Sequence, residues 1–125
     1  MVNGKRESSC ERGVFDEEAA LAALDGEREL LSQLATMFAE DSRELLLALD
    51  QAVAAEDSHT ARHATHSLKG QAATFFAASV VELAQRLEQE AADGRLAEFH
   101  NGGCTQLRQS IETLVQELRA RGLAE

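Results

Sequence analysis

The chain contains no proline, no tryptophan and no tyrosine, and only two cysteines and five phenylalanines in 125 residues. Each scarcity excludes something. Without proline, nothing forbids long uninterrupted helices. The β-branched and aromatic residues that strands prefer are sparse and never alternate over a run, which argues against a sheet. Cys10 and Cys104 show neither CxxC spacing nor metal-ligand neighbours, so reduced, unpaired thiols are expected rather than a disulfide framework or a zinc site. No apolar run approaches the ~20 residues of a membrane span, and the N-terminus lacks a signal-peptide hydrophobic region. A soluble cytoplasmic protein is expected. Basic residues are outnumbered 12 to 22 by acidic ones, for a net charge of −10, and they do not cluster. Binding a duplex takes clustered lysine and arginine to displace counterions, so nucleic acid is not expected as a partner.

What the chain does contain is alanine and leucine at helical spacing, a helix-forming composition. Its length fits one domain, able to bury on the order of two-thirds of its unfolded surface. Residues 1–13 mix glycine, serine and charge without periodicity and read as a disordered leader; residues 14–125 read as the folded domain. Phe15-Asp16-Glu17-Glu18 opens a short helix that Asp16 can cap, with Leu21 and Leu24 on one face and Asp25-Gly26 ending it. From Glu27 the apolar positions are Leu30, Leu31, Leu34, Met37 and Phe38, then Leu45, Leu46, Leu49 and Val53. Asp41-Ser42-Arg43-Glu44 has the form of a capping box, which predicts a break between two helices near Asp41.

Asp57 and Ser58 cap the next helix, whose apolar stripe is Ala61, Ala64, Leu68, Ala72 and Phe75. Ser79-Val80-Val81-Glu82, a second capping box, starts the following one, with Val80, Leu83, Ala84, Leu87 and Ala91 inward and Gly94 as its C-terminal cap. The last helix carries Leu96, Phe99, Gly103, Leu107, Ile111, Leu114 and Leu118 in phase, softened at Asn101-Gly102-Gly103 and ended by Gly122. Because the stripe keeps its register across the glycines, one helix is expected there. Short connections between long amphipathic helices imply antiparallel neighbours. The predicted fold is all-α: an antiparallel up-down four-helix bundle with a short extra N-terminal helix.

One stretch of that bundle points to chemistry. In His66-Ser67-Leu68-Lys69-Gly70 the histidine has a lysine at i+3 and a glycine at i+4, and residues so spaced are neighbours on a helix surface. Lys69 is the only lysine after Lys5; the other ten basic residues are arginine. At about 100° per residue, His66 lies roughly 160° from the centre of the apolar stripe and faces solvent. His59, His63, Gly70 and Ala73 share its side, so its surroundings are small and polar. A compact ammonium beside an open imidazole suits a transient phosphoryl group on nitrogen. His59, His63 and His66 also have spacing that could hold zinc or nickel, but a di-iron-type bundle needs inward Glu-x-x-His pairs on two helices. Only Glu56–His59 has that spacing here, at a helix start, so no metal and no other cofactor is expected.

With these residues in place, the chain resembles the histidine-containing phosphotransfer (HPt) domains of bacterial phosphorelays, from about Val14 to the C-terminus. The resemblance rests on His66-Ser67-Leu68-Lys69-Gly70, the small residues after it, Leu87-Glu88 one helix later, and the opening Phe15-Asp16-Glu17-Glu18-Ala19-Ala20-Leu21. It implies His66 as phosphoacceptor, Lys69 steadying the phosphoryl oxygens, and Glu88 hydrogen-bonding the imidazole. It also implies a partner-facing surface of Gly70, His63 and Ala73. The implied partners are receiver domains of response regulators and a hybrid histidine kinase, to a monomeric carrier. Family members usually carry Asn near Thr74 and Gly near Phe76; Thr74-Phe75-Phe76-Ala77-Ala78 replaces that turn. A helix that runs on past the motif is therefore expected, with Phe76 either a partner contact or folded into the core.

The expected function is phosphoryl carriage between receiver aspartates. There is no Gly-rich phosphate loop, so no autokinase activity is expected, and Mg²⁺ would belong to the receiver. Two alternatives stand beside it. One is a helical interaction adaptor with an inert histidine. The other is the kinase-substrate domain of a chemotaxis-type histidine kinase, which would need a kinase domain beyond Glu125; the opening Met1 favours a standalone protein.

Overall fold

The structure, a computed structural model, describes residues 14–125; the expected leader and Cys10 lie outside the described residues. It is all-helical. Helix α1 (Glu17–Ala23) is followed by α2 (Arg28–Ala54), α3 (Ser58–Ala73) and α4 (Ala78–Ala92). Helix α5 (Cys104–Ala120) is entered through a π-turn at Phe99–Gly103. Helices α2 to α5 form an antiparallel up-down four-helix bundle in which each packs on the next and α5 closes against α2. Leu31, Leu49, Leu68, Leu87, Leu107, Ile111, Leu114 and Leu118 fill its core. These are the positions at helical spacing, because burying one stripe per helix is the dominant favourable term.

Helix α1 closes one end of the bundle. Asp16 caps it, its carboxylate accepting from the Ala19 N–H at 3.1 Å. The Asp16 N–H donates to the Phe75 carbonyl at 3.0 Å, and buried Phe15 lies under the Arg121 guanidinium, 5.3 Å from the ring centroid. Asp57 caps α3 in the same way, accepting from the Thr60 N–H at 3.1 Å. Behind α4, Gly94 takes a positive φ of 77° while the Arg95 N–H donates to the Glu90 carbonyl at 2.9 Å, the expected glycine cap.

Four expectations about the helices are corrected. Helix α2 runs unbroken through Asp41. Ser42 is buried, and its hydroxyl donates back to the Ala39 carbonyl at 3.4 Å instead of capping a new helix, a local bond that a mid-helix serine can make without ending the helix. Helix α4 is capped at Ala77 with no side-chain hydrogen bond, so Ser79 sits inside the helix and the second capping box is not used. The last helix is not continuous: Asn101 and Gly102 leave helical geometry, Gly102 at φ +103°, and a kink separates Phe99 from α5. The apolar stripe nevertheless stays on the buried side across the kink. Phe99, Gly103 and Leu107 all stay inside.

The fourth correction lies beside the motif. Helix α3 does not run on past Ala73; Phe76 takes a left-handed φ of +54° and the Ala77 N–H closes onto the Ala72 carbonyl at 3.3 Å. Left-handed geometry costs a residue with a Cβ about 1–2 kcal/mol relative to glycine. Phe76 is 45% exposed, so burial of its side chain offsets that cost only in part. Its neighbour Phe75 goes the other way, into the core, against Phe38 with ring centroids 5.5 Å apart.

Candidate functional site

The site is set by how closely α3 and α4 approach, the most extensive helix contact in the bundle. The buried faces are narrow: Ala61, Ala64 and Ala72 on α3, Ala84 and Ala91 on α4. Small side chains let the two backbones come near, so polar residues flanking the seam reach across it. Antiparallel register then fixes the pairing. His66 faces Glu88, and three residues on, Lys69 meets Gln85, three residues back on α4.

His66 Nδ1 lies 2.9 Å from Glu88 Oε2. The imidazole is 62% exposed, whereas the Glu88 side chain is only 13% exposed. Lys69 Nζ lies 2.6 Å from the other carboxylate oxygen, Oε1, and donates to Gln85 Oε1 at 2.8 Å. The Lys69 contact to Glu88 is an ion pair; its well-directed hydrogen bond goes to Gln85. Glu88 thus holds the ring with one oxygen and the ammonium with the other. Burial pushes the Glu88 carboxyl upward, and Lys69 and His66, by contact and by charge, more than offset it, so the group sits below the ordinary carboxylate value.

A carboxylate on Nδ1 selects the tautomer in which that nitrogen carries the proton. Nε2 is then left with its lone pair, and among the described residues it meets no hydrogen-bond partner. Thr65, next in sequence, points the other way and is buried, its hydroxyl satisfied by the Ala61 carbonyl at 2.7 Å. Gly70 leaves open space one turn from the ring: a Cβ there would have nothing within 4 Å. His59, His63 and Ala73 are exposed like His66 and Gly70.

The structure therefore brings together His66, Lys69 and Glu88, and it adds Gln85, which the sequence analysis did not single out. The signal was present, since Gln85 lies three residues before Glu88 on the same face of α4, but glutamine has no charge to mark it. Among the described residues no group of three or more His, Cys, Asp or Glu is arranged to hold a metal ion. His100, remote from the motif, pairs through Nε2 with Glu56 at 2.8 Å and ties the α2–α3 turn to the π-turn.

A helical bundle in which an exposed histidine, a lysine and a glutamate meet across two adjacent surface helices has the architecture of a phosphotransfer module. The sequence model of the Hpt domain matches residues 33–120, and the chain belongs to the Hpt domain family. The fold is similar to the crystal structure of histidine-containing phosphotransfer protein B (HptB) from Pseudomonas aeruginosa PAO1, with a TM-score of 0.75 and 24% sequence identity over 86% of this chain and 95% of that one. No curated protein matches the chain. As a family member it is a phosphorelay histidine phosphotransfer protein, a phosphoryl carrier. No helix among the described residues is long and apolar enough to cross a membrane.

Proposed function

We propose that His66 is the phosphoacceptor, with Nε2 as the nucleophile. The observation that carries this is the 2.9 Å contact between Nδ1 and Glu88 on an imidazole whose other nitrogen is open to an approaching partner. The lone pair of Nε2 attacks the phosphorus of a receiver domain's aspartyl phosphate, and the bond from phosphorus to the aspartyl oxygen breaks with its electrons. No proton has to move: the ring keeps the one on Nδ1, becomes positively charged, and is stabilised by the Glu88 carboxylate, the logic of an orienting acid behind a histidine. Lys69, already at the site's edge, offers its ammonium to the phosphoryl oxygens. Transfer to a second receiver is the same step reversed.

Gly70, His63 and Ala73 form the surface on which the receiver docks, and residues 14–125 are the functional unit. The carrier works as a cytoplasmic monomer between receiver domains of response regulators and a hybrid histidine kinase. It has no nucleotide site of its own and no cofactor; ATP alone should not label it. The test is incubation with a panel of purified receiver domains phosphorylated from a small-molecule donor. The wild-type chain and His63→Gln should take up label that is lost in acid and stable in alkali. His66→Gln should not. Label retained by His66→Gln overturns the assignment, and receiver binding with no transfer to the wild type would make the domain an adaptor.

A further inference from the structure

We infer that Phe76 is a specificity-determining anchor for the receiver domain that docks over His66. This rests on the phosphotransfer reading and deepens it. The turn that ends α3 needs a left-handed residue at this position, as Asp25 and Glu56 supply at the ends of α1 and α2, but it does not need an aromatic one. The Phe76 backbone is held at φ +54°, where glycine fits and a side chain is strained. The residue is 45% exposed, so packing within the domain covers only part of it. The neighbouring position shows what a packed aromatic looks like here, because Phe75 is fully buried against Phe38. Of the three non-glycine residues in the left-handed conformation among the described residues, Asp25 and Glu56 are polar and Phe76 is an exposed aromatic, and that exception is what points to function.

The position of Phe76 names the occupant. Gly70 and Ala73 descend from His66 along the exposed side of α3, and Phe76 stands in the turn that ends the helix, about 15 Å along the axis from His66. A partner that reaches Nε2 with a standard interface of about 800 Å² on each side covers that distance. Thr74 and Phe75, its immediate predecessors, line a cleft of about 90 Å³ together with Leu34, Met37 and Asp41, and Met37 is itself 54% exposed. Beyond the small, polar surface around the histidine, the end of α3 thus has two exposed apolar side chains near it, Phe76 and Met37. Aromatic side chains dominate the energetics of such patches. The partner is a receiver domain that presents an apolar patch beside its phosphorylated aspartate.

Binding to the His66→Gln background tests the idea without any turnover. The probe is the purified receiver domain that labels the wild-type chain fastest in the panel. Phe76→Gly should weaken its dissociation constant at least tenfold, while the unfolding midpoint of the variant stays level or rises, since glycine relieves the left-handed backbone. Phe76→Tyr should restore binding to within about threefold of the parent, whose ring it retains. A receiver that labels the chain slowly should lose much less affinity from Phe76→Gly. Unchanged affinity in Phe76→Gly overturns the inference, as does a fall in unfolding midpoint large enough to make the residue a structural one. Loss of the His66 reading shows up separately, as label on another residue of the wild-type chain.

Discussion

Glu88 Oε2 sits 2.9 Å from His66 Nδ1, joining two residues that are 22 apart in the sequence and lie on adjacent antiparallel helices. The more buried partner is the acid, and the exposed one is the base. That asymmetry matters. The carboxylate is fixed by its surroundings and imposes an orientation, while the imidazole remains accessible for chemistry.

Removing the carboxylate should therefore change the ring before it changes the fold. Glu88→Ala leaves Nδ1 unheld, and the proton redistributes between the two nitrogens. Nitrogen-15 shifts of the His66 ring should move from the Nδ1–H pattern towards a mixture. The transfer rate should fall about tenfold, in line with a charge-assisted hydrogen bond worth about 1.5 kcal/mol. A ring whose tautomer is the same in both proteins would reduce Glu88 to a surface carboxylate.

Acid should weaken the fold through the same residue. The Glu88 carboxyl lies below its ordinary value, so the unfolded chain binds the proton more tightly than the folded one. Its contribution to stability is complete above the unfolded carboxylate pKa and is lost as pH falls through the lower folded value. Urea denaturation of wild type and Glu88→Gln between about pH 3 and pH 7 should show a stability difference that is largest near neutrality and shrinks in acid. A difference that stays constant with pH would mean the carboxylate charge is not what stabilises the fold.

Much of this was legible in the sequence, and the exceptions share a cause. Spacing alone located Leu68, Leu87, Leu107 and Leu118 in the core and His66 outside it, because helical periodicity reports which face is buried. The α3–α4 pairing was visible only as residue types. That Lys69 folds back onto Glu88 and Gln85 depends on how closely two alanine-rich faces approach, and periodicity carries no distance. Local signals misled where tertiary packing overrode them: Ser42 is buried and bonds back to Ala39, so its capping box is silent. Gly102 was legible as a soft point, yet its positive φ decides between one helix and two. Phe76 reads as a poor candidate for a left-handed turn, and only the structure shows it there.

Gly70 separates helix stability from partner access. A Cβ at this position meets nothing within 4 Å, and replacing a mid-helix glycine with alanine gains up to about 1 kcal/mol. Gly70→Ala should raise the thermal midpoint. Gly70→Gln should fold equally well but place a longer side chain one turn from the imidazole, slowing transfer from a phosphorylated receiver by about tenfold, or about 1.4 kcal/mol. Transfer at the wild-type rate in Gly70→Gln would show that the receiver approaches from another side.

Gly103 is the glycine whose missing side chain the fold requires. Its φ of −62° is helical, so conformation is no obstacle to alanine there. Space is. A Cβ would stand 2.6 Å from the Glu98 carbonyl oxygen and 2.8 Å from Leu87 Cδ2. Leu87 can rotate, but the backbone oxygen of Glu98 can yield only if the π-turn itself moves. Overpacking of this kind costs about 1–3 kcal/mol, which exceeds the gain of about 1 kcal/mol in helix propensity. Gly103→Ala should therefore unfold at lower urea than wild type. Leu87 is the residue before Glu88, so the displacement should also reach the active face as a change in the His66 ring shifts. Gly102→Ala provides the contrast. Nothing lies within 4 Å of its added Cβ, and its cost comes from the positive φ alone, so it should lower stability and leave the His66 ring as it was. Equal ring shifts in the two variants would show that the π-turn, rather than contact with Leu87, carries the disturbance to α4.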